Sequence, residues 1–149
     1  MTSTYSSVGI RLAAGLLCVL MAACSSQSVT PVAPDPRTLL QAIPSADAAQ
    51  YERIRDMKSW RNPYLIIRTD GVAILDSSDN AEIILKPDDL LGALAHLPAS
   101  DWPYGRVVAA AENGVRASEQ DGVAIRRNKG IVGGMLQGAN VAVKWVPGT

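Results

Sequence analysis

Two β-rich segments joined by a turn sequence constrain the fold of this chain more than any other feature. Residues 64–69 (YLIIRT) and 72–75 (VAIL) are dominated by aliphatic side chains, and Asp70-Gly71 separates them. Asp-Gly is a preferred pair for the two-residue type I′ turn, whose twist matches that of the flanking strands. The sequence therefore predicts a β-hairpin at this point.

The predicted hairpin places apolar side chains on both of its faces. A two-residue turn sets Ile67 opposite Ile74 and Ile66 opposite Leu75. Successive side chains of a strand point to opposite faces, so neither face of this pair is suited to water. We expect the hairpin to belong to a sheet that is covered on both sides.

The other periodic segments add helices and strands around the hairpin. Aliphatic stripes, N-capping residues and prolines mark their boundaries. The result is a small two-layer α/β sandwich, with a first helix before a ββαβαβ order and helices packed on one sheet. The added elements are a helix within 47–58, a helix from Pro87 to Pro98, a strand over 105–112, a helix from Ser118 to about Gly138 and a strand over 140–146, and residues 81–85 could add a third strand to the hairpin.

The helix that follows Ser118 has an alternative. Three glycines between 130 and 134 weaken it, because each costs about 1 kcal/mol against alanine in a helix. The alternative is a hairpin of IVGGML with VAVKWV, so residues 130–137 are helix or strand. The helix is favoured, and its buried side would carry Ile125, Val132, Met135 and Leu136.

The amino-terminal segment has the composition of a signal peptide. Arg11 is the only charged residue between 8 and 23, and about 12 apolar or small residues separate it from Cys24. A membrane-spanning helix needs about 20. Residues 1–23 are therefore interpreted as a cleaved signal peptide. A retained membrane anchor is the less favoured alternative.

Met21-Ala22-Ala23-Cys24 resembles the lipobox of bacterial lipoproteins. The resemblance implies that Cys24 is acylated and becomes the first residue of the mature chain, with membrane lipid as its partner. Ser25 follows, and in the well-studied lipoproteins a serine there implies sorting to the outer membrane, on its periplasmic face. An ordinary secretory signal with a chance cysteine is the alternative.

The mature chain is predicted to have a tether and one domain. Residues 24–46 carry four prolines among small polar residues, which favours extended chain. Within them, Leu39, Leu40 and Ile43 could dock on the domain or on a partner, and the domain is favoured. Residues 47–149 are enough for one core.

From residue 64 onward, the predicted element order resembles the periplasmic domain of the ExbD/TolR family, which works beside energy-transducing motors of the inner membrane. Members of that family carry a transmembrane helix with a functional aspartate, which segment 8–23 lacks. Their Pro-Tyr-Gly-type segment opens a helix, whereas Pro103-Tyr104-Gly105 precedes a predicted strand. The resemblance therefore implies the fold alone, without proton-driven work.

Charge and residue types argue against several classes of function. Loss of Arg11 with the leader leaves 13 basic and 14 acidic residues, which indicates no nucleic-acid partner. Cys18 would leave with the leader and Cys24 would carry lipid, so no thiol remains. His96, the sole histidine, is interpreted as a helix cap or surface residue. We predict no catalytic residue, metal site or cofactor.

Each tryptophan has a proline within three residues and lies at a predicted strand end. Such aromatic residues could form a platform for a glycan or a peptide, with arginines as donors. Alternatively they fill the ends of a core that lacks phenylalanine, which is the favoured interpretation. The candidate binding residues are Trp60, Tyr64, Trp102, Tyr104, Arg106 and Trp145.

These observations predict an envelope lipoprotein whose folded domain binds another envelope protein or cell-wall glycan without catalysis. The alternative is a hydrolase acting on an envelope polymer. It would need a pocket that unites Arg106 with His96 or with an aspartate pair.

Overall fold

A mixed five-stranded sheet forms the centre of the computed structural model, which describes residues 33–75, 81–114 and 118–148. The strand order is β3-β2-β1-β4-β5. Strands β1, β4 and β5 run parallel, and β2 pairs antiparallel with both β1 and β3. The strands are β1 (Tyr64–Ile67), β2 (Val72–Leu75), β3 (Glu82–Leu85), β4 (Val107–Glu112) and β5 (Ala142–Trp145).

Four α-helices and three single turns of 3₁₀-helix accompany the sheet in the described residues. The predicted small α/β fold is confirmed, with helices packed on the sheet. The helices are α1 (Pro36–Gln41), α2 (Ala48–Tyr51), α3 (Leu90–Ala95) and α4 (Glu119–Gly138), and the 3₁₀ turns span Met57–Ser59, Pro87–Asp89 and Ala99–Asp101.

The main core lies between one sheet face and the helices α1, α3 and α4. Alternate strand residues point to this face, as the two-residue period of a strand requires. Its fully buried members are Leu40, Leu65, Ile67, Val72, Leu90, Leu94, Val108, Ala110, Ile125, Val132, Leu136 and Ala139.

A second, smaller cluster covers part of the opposite face. Trp60, Val107 and Ala109 are buried there, and side chains from 46–57 pack around them. Of the hairpin, Tyr64 packs against this cluster, and the cover on this face comes from short turns over 46–57.

The predicted helix within 47–58 is wrong in its extent. Asp47 caps the helix as expected, but α2 ends at Tyr51. Asp56 then accepts from the backbone N–H of Lys58 and caps a separate 3₁₀ turn. The two local caps compete with one continuous helix.

The predicted hairpin exists, but its register is wrong by two residues. Ile67 pairs with Val72 and Arg68 with Gly71, so the two-residue turn is Thr69-Asp70 instead of Asp70-Gly71. Gly71 explains the difference: its φ is 155°, and a Cβ there would lie 2.2 Å from the carbonyl oxygen of Leu85. Close packing against β3 therefore places Gly71 in the ladder and displaces the turn. A shift of two leaves every side chain on its expected face.

Helix α4 confirms the favoured prediction and excludes the alternative hairpin over 130–137. Ser118 and Asp121 form a capping box in which each side chain bonds to the other residue's backbone N–H. Ile125, Val132 and Leu136 are buried, whereas Met135 is half-buried.

Part of the predicted tether packs on the domain. Asp35 caps α1, Pro36 occupies its first turn, and Leu40 is fully buried in the main core. Ser45 then forms a parallel β-bridge with Arg106. Docking of this apolar segment on its own domain is confirmed, and the compact unit begins at Ala33. Extended chain was expected from the four prolines, but Leu40 packs on core residues that are distant in sequence, and this packing stabilises α1.

Candidate functional site

The three tryptophans are not brought together. Trp60 and Trp102 lie before the amino ends of the parallel strands β1 and β4, but they pack on opposite faces of the sheet. Trp145 closes β5 at the other end of the parallel strands. The structure therefore divides the six predicted binding residues among three places.

Trp60 belongs to an internal aromatic cluster. It is 7% exposed, its ring meets Tyr51 edge-on at 6.0 Å and Tyr104 at 5.4 Å, and its indole N–H donates to the carbonyl of Pro63. Tyr64 packs against the same cluster. Burial raises the pKa of the Tyr64 phenol above its usual value of 10.0. These aromatic side chains pack with one another rather than forming an open surface.

Trp102 is buried in the main core, on the other face. Only 4% of it is exposed, and its indole N–H has no hydrogen-bond partner within the described ranges. It borders a cavity of about 250 Å³ between α1 and α3, which is lined mainly by aliphatic side chains. Trp102 therefore fills the end of a core, as the favoured interpretation expected.

Arg106 ties distant segments together. Its Nε donates to the carbonyl of Asn140 at 2.8 Å, and its guanidinium also reaches the carbonyl of Leu40 at 3.3 Å. The arginine expected as a ligand donor thus joins the turn after α4 to the end of α1.

Asn62 was not predicted, and it is the one buried polar residue among those described. Its amide nitrogen donates to the carbonyls of Gly105 and Val107, both at 2.7 Å, and its amide oxygen accepts from the N–H of Tyr104. This residue joins the chain before β1 to the chain before β4.

Trp145 is the exposed tryptophan. Its relative exposure is 41%, and it borders a half-open cavity of about 240 Å³. The ammonium of Lys129 lies 4.5 Å from its ring centroid, and a Cβ on Gly133 would lie 3.7 Å from the ring. Because Lys129 and Gly133 are one turn apart on α4, the indole lies along one side of that helix, where Lys129 contacts its ring and Gly133 leaves room for it.

The remaining lining of this cavity combines an ion pair and a carboxamide with glycines, Val146 and Pro147. Lys129 also forms an ion pair with Glu112, with 2.8 Å between Nζ and Oε1. The rest of the lining comes from Asn113 and Gly114 and from the backbone after β5, over 146–148. We call this set of residues the Trp145 pocket.

Topology brings these residues together. Glu112 ends β4 and Trp145 ends β5, and the two strands are parallel neighbours joined by α4. Their carboxyl ends therefore meet at one side of the sheet, where ligands of open α/β sheets commonly bind. Glu112 and Lys129 were missed because neither belongs to a local motif. The predicted strand-helix-strand order is the sequence feature that could have indicated a site at the carboxyl ends of these two strands.

The other candidates for chemistry lie apart from this pocket. His96 caps α3 and is exposed, with Nδ1 2.6 Å from the carbonyl oxygen of Gly92, as predicted. Within the described ranges, no group of three or more His, Cys, Asp or Glu side chains could hold a metal ion.

The leader, the lipobox and Cys24 fall outside the described residues, as do Ser77-Ser78-Asp79-Asn80 in the β2–β3 connection. Among the helices that the structure describes, none is long and apolar enough to cross a membrane. Comparisons with protein-family models, curated proteins and solved structures found no match to this chain.

Proposed function

We propose that this protein is a lipid-anchored module of the bacterial cell envelope that binds cell-wall glycan in the Trp145 pocket without catalysis. The observation that carries the proposal is the exposed indole of Trp145 beside a carboxylate, an ammonium and a carboxamide. Acylated Cys24 supplies the anchor, which the leader sequence supports.

A sugar ring matches the chemistry of this pocket. The axial C–H groups of a pyranose form an apolar face that packs on an indole, while its hydroxyls need donors and acceptors around that face. The contact with Lys129 on one side of the indole favours an orientation of Trp145 in which the ring borders the cavity.

The charge of the pocket favours a neutral ligand. Glu112 and Lys129 pair at 2.8 Å and largely cancel one another's field. The other described lining residues carry no ionisable side chain. Glu112 would repel a phosphate and Lys129 would repel a polyamine. Neutral hydroxyl and acetamido groups can form hydrogen bonds with both side chains.

The lining supports binding more than hydrolysis. Most glycosidases use two carboxyl groups that flank the scissile bond. In the described lining, Glu112 supplies the single carboxyl group, and Lys129 holds it. Arg106 and His96, which the hydrolase alternative needed, lie outside this pocket.

Binding can be measured on the detergent-solubilised full-length lipoprotein by calorimetry, with peptide-free glycan strands from peptidoglycan as the ligand. Trp145→Ala should weaken affinity about tenfold or more, or about 1.4 kcal/mol. Val123→Ala is the matched control, because Val123 is also an exposed apolar residue but lies near the start of α4.

Two outcomes would contradict the proposed ligand. Unchanged affinity in Trp145→Ala would move the site elsewhere, and new reducing ends during incubation of the wild type would favour the hydrolase. Glycan strands that still carry stem peptides form a third arm. Binding of those alone would assign recognition to the peptide.

The anchor has a separate test. Cys24→Ser should abolish incorporation of labelled palmitate and leave the precursor uncleaved, because the acylated sulfur is what defines the cleavage site of a lipoprotein. Cys18→Ser is the matched control and should be labelled like the wild type. Labelling that survives Cys24→Ser would contradict this assignment.

A further inference from the structure

Strand β3 presents an open aliphatic edge. It is the terminal strand of the sheet order, and Ile83 and Ile84 are 52% and 50% exposed. The two side chains point to opposite faces of the sheet. Within the described residues, no strand pairs with its outer side. Protected edges are short or carry charge, proline or a bulge; β3 is short and has Glu82 at its start and Lys86-Pro87 after its end, but no charge, proline or bulge lies over 83–85.

The hairpin shows which backbone groups of β3 point outward. The N–H of Arg68 donates to the carbonyl of Gly71 at 2.9 Å, which makes these two residues a hydrogen-bonded pair. Hydrogen-bonded and non-hydrogen-bonded pairs alternate along an antiparallel ladder. Val72 and Ile74 belong to the non-hydrogen-bonded pairs with β1, so their N–H and C=O groups point toward β3. They pair with Leu85 and Ile83.

The outward residues are therefore Glu82, Ile84 and Lys86. The position of the Leu85 carbonyl agrees, since it lies against Gly71 and so faces β2. Lys86 continues the extended backbone, with φ −68° and ψ 147°. Pro87 follows and has no N–H, so the pairing segment ends there.

We propose that two copies of this protein associate through β3, antiparallel and about a two-fold axis at Ile84. In this register Ile84 faces Ile84 of the second copy, and Glu82 faces Lys86 in both directions. Each of these is a hydrogen-bonded pair, because all three residues direct their backbone groups outward. Between them, Ile83 faces Leu85 on the other side of the sheet.

Charge selects this register among the neighbouring ones. A shift of the second strand by two residues in either direction would set Ile84 against a charged residue and leave the other charge without its counterpart. The two-fold register places an acid opposite a base at each end and aliphatic side chains between them. Arg68 bonds to Glu82 at 2.5 Å and holds its carboxylate on the same sheet face as Ile84.

A cysteine test reads the register directly. In the full chain with Cys18→Ser and Cys24→Ser, Ile84→Cys would be the sole thiol. Residues that face each other in a hydrogen-bonded pair have Cα atoms about 5.5 Å apart, which a disulfide can bridge. We expect a covalent dimer on mild oxidation. Ile83→Cys is the matched control: it is equally exposed but faces Leu85, so it should crosslink several-fold less.

Charge exchange gives a second, independent readout in sedimentation equilibrium. Glu82→Lys and Lys86→Glu should each be largely monomeric, because each sets like charges opposite one another at both ends. Mixing the two variants should restore dimers, since every pair is then complementary. A wild type that stays monomeric at the highest soluble concentration overturns the proposal. Equal crosslinking at 83 and 84, or no recovery on mixing, overturns the register.

Discussion

The two edge strands of the sheet, β3 and β5, each have one side without a described neighbouring strand, and they differ in the side chains found there. At β5, the ammonium of Lys144 bonds to the carbonyls of Tyr51 and Glu52, and the indole of Trp145 is held by α4. At β3, two isoleucines are half-exposed and the outward backbone groups face no described strand. Both are terminal strands of the described sheet, but β5 is tied to the domain through Lys144 and Trp145, whereas β3 exposes two aliphatic side chains.

The difference indicates two kinds of ligand. A restrained aromatic ring beside a neutralised ion pair suits a small polar molecule, which bonds to side chains. A short aliphatic strand with unpaired N–H and C=O groups suits another strand, which bonds to the backbone. The two proposals thus place a side-chain site at the parallel end of the sheet and a backbone site at its antiparallel end.

Asn62→Ala should have the largest effect, because Asn62 joins the chain before β1 to β4 at the centre of the sheet. The substitution removes a buried amide that makes three hydrogen bonds and leaves the N–H of Tyr104 without this acceptor, so we expect a loss of about 3 kcal/mol in the free energy of unfolding, measured by urea denaturation. Asn128→Ala is the matched control: its amide also bonds to two carbonyls, but at a partly exposed position, and it should cost about 1 kcal/mol. Equal losses would show that Asn62 has no special role.

Gly71→Ala should weaken the β3 edge and leave the β5 edge intact. A Cβ at φ 155° would collide with the Leu85 carbonyl, so we expect a loss of about 2 kcal/mol and weaker self-association. Gly130→Ala, where a Cβ meets open space in α4, should instead stabilise by up to about 1 kcal/mol. Thermal denaturation of both variants checks this. Equal effects would argue against the close contact between β2 and β3.

Lys144→Met should loosen the β5 edge alone. It removes two charge-assisted hydrogen bonds but keeps an unbranched stem, and the expected loss is about 1 kcal/mol by urea denaturation. Lys58→Met, at an exposed lysine in a 3₁₀ turn, should change stability by less than half as much. A larger effect at Lys58 would contradict the role given to Lys144.

Tyr64→Phe should have the smallest effect, visible only at alkaline pH. Burial raises the pKa of this phenol, so the folded state resists ionisation that the unfolded state undergoes from about pH 10. The contribution of Tyr64 to the free energy of unfolding should therefore be constant below pH 10 and fall as pH rises toward the folded-state pKa of its phenol. Denaturation across pH 9 to 11 should show a shallower decline in Tyr64→Phe. Parallel curves would contradict it.

Local signals predicted most of the fold. The hairpin, the capping box at Ser118 and the proline before α3 are each read from a few neighbouring residues. The hairpin register and the helical form of α1 could not be read in this way. Both depend on contacts far along the chain, those of Gly71 with Leu85 and of Leu40 with the core.

The candidate site was predictable only in part. A proline lies near each tryptophan, so the sequence does not separate buried Trp60 and Trp102 from exposed Trp145. Which face covers each ring depends on α1, α3 and the turns over 46–57, all distant in sequence. Glu112 and Lys129 acquire their positions only when β4 and β5 lie side by side.

The central claim, that Trp145 at the β5 edge receives a neutral glycan, is tested most directly by NMR. The three indole N–H groups give three separate signals, and the buried Trp60 and Trp102 serve as internal controls. During titration with peptide-free peptidoglycan glycan, the signal of Trp145 should shift progressively while the other two stay in place. Binding that leaves the Trp145 signal unmoved, or that shifts Trp60 or Trp102 instead, would contradict the account.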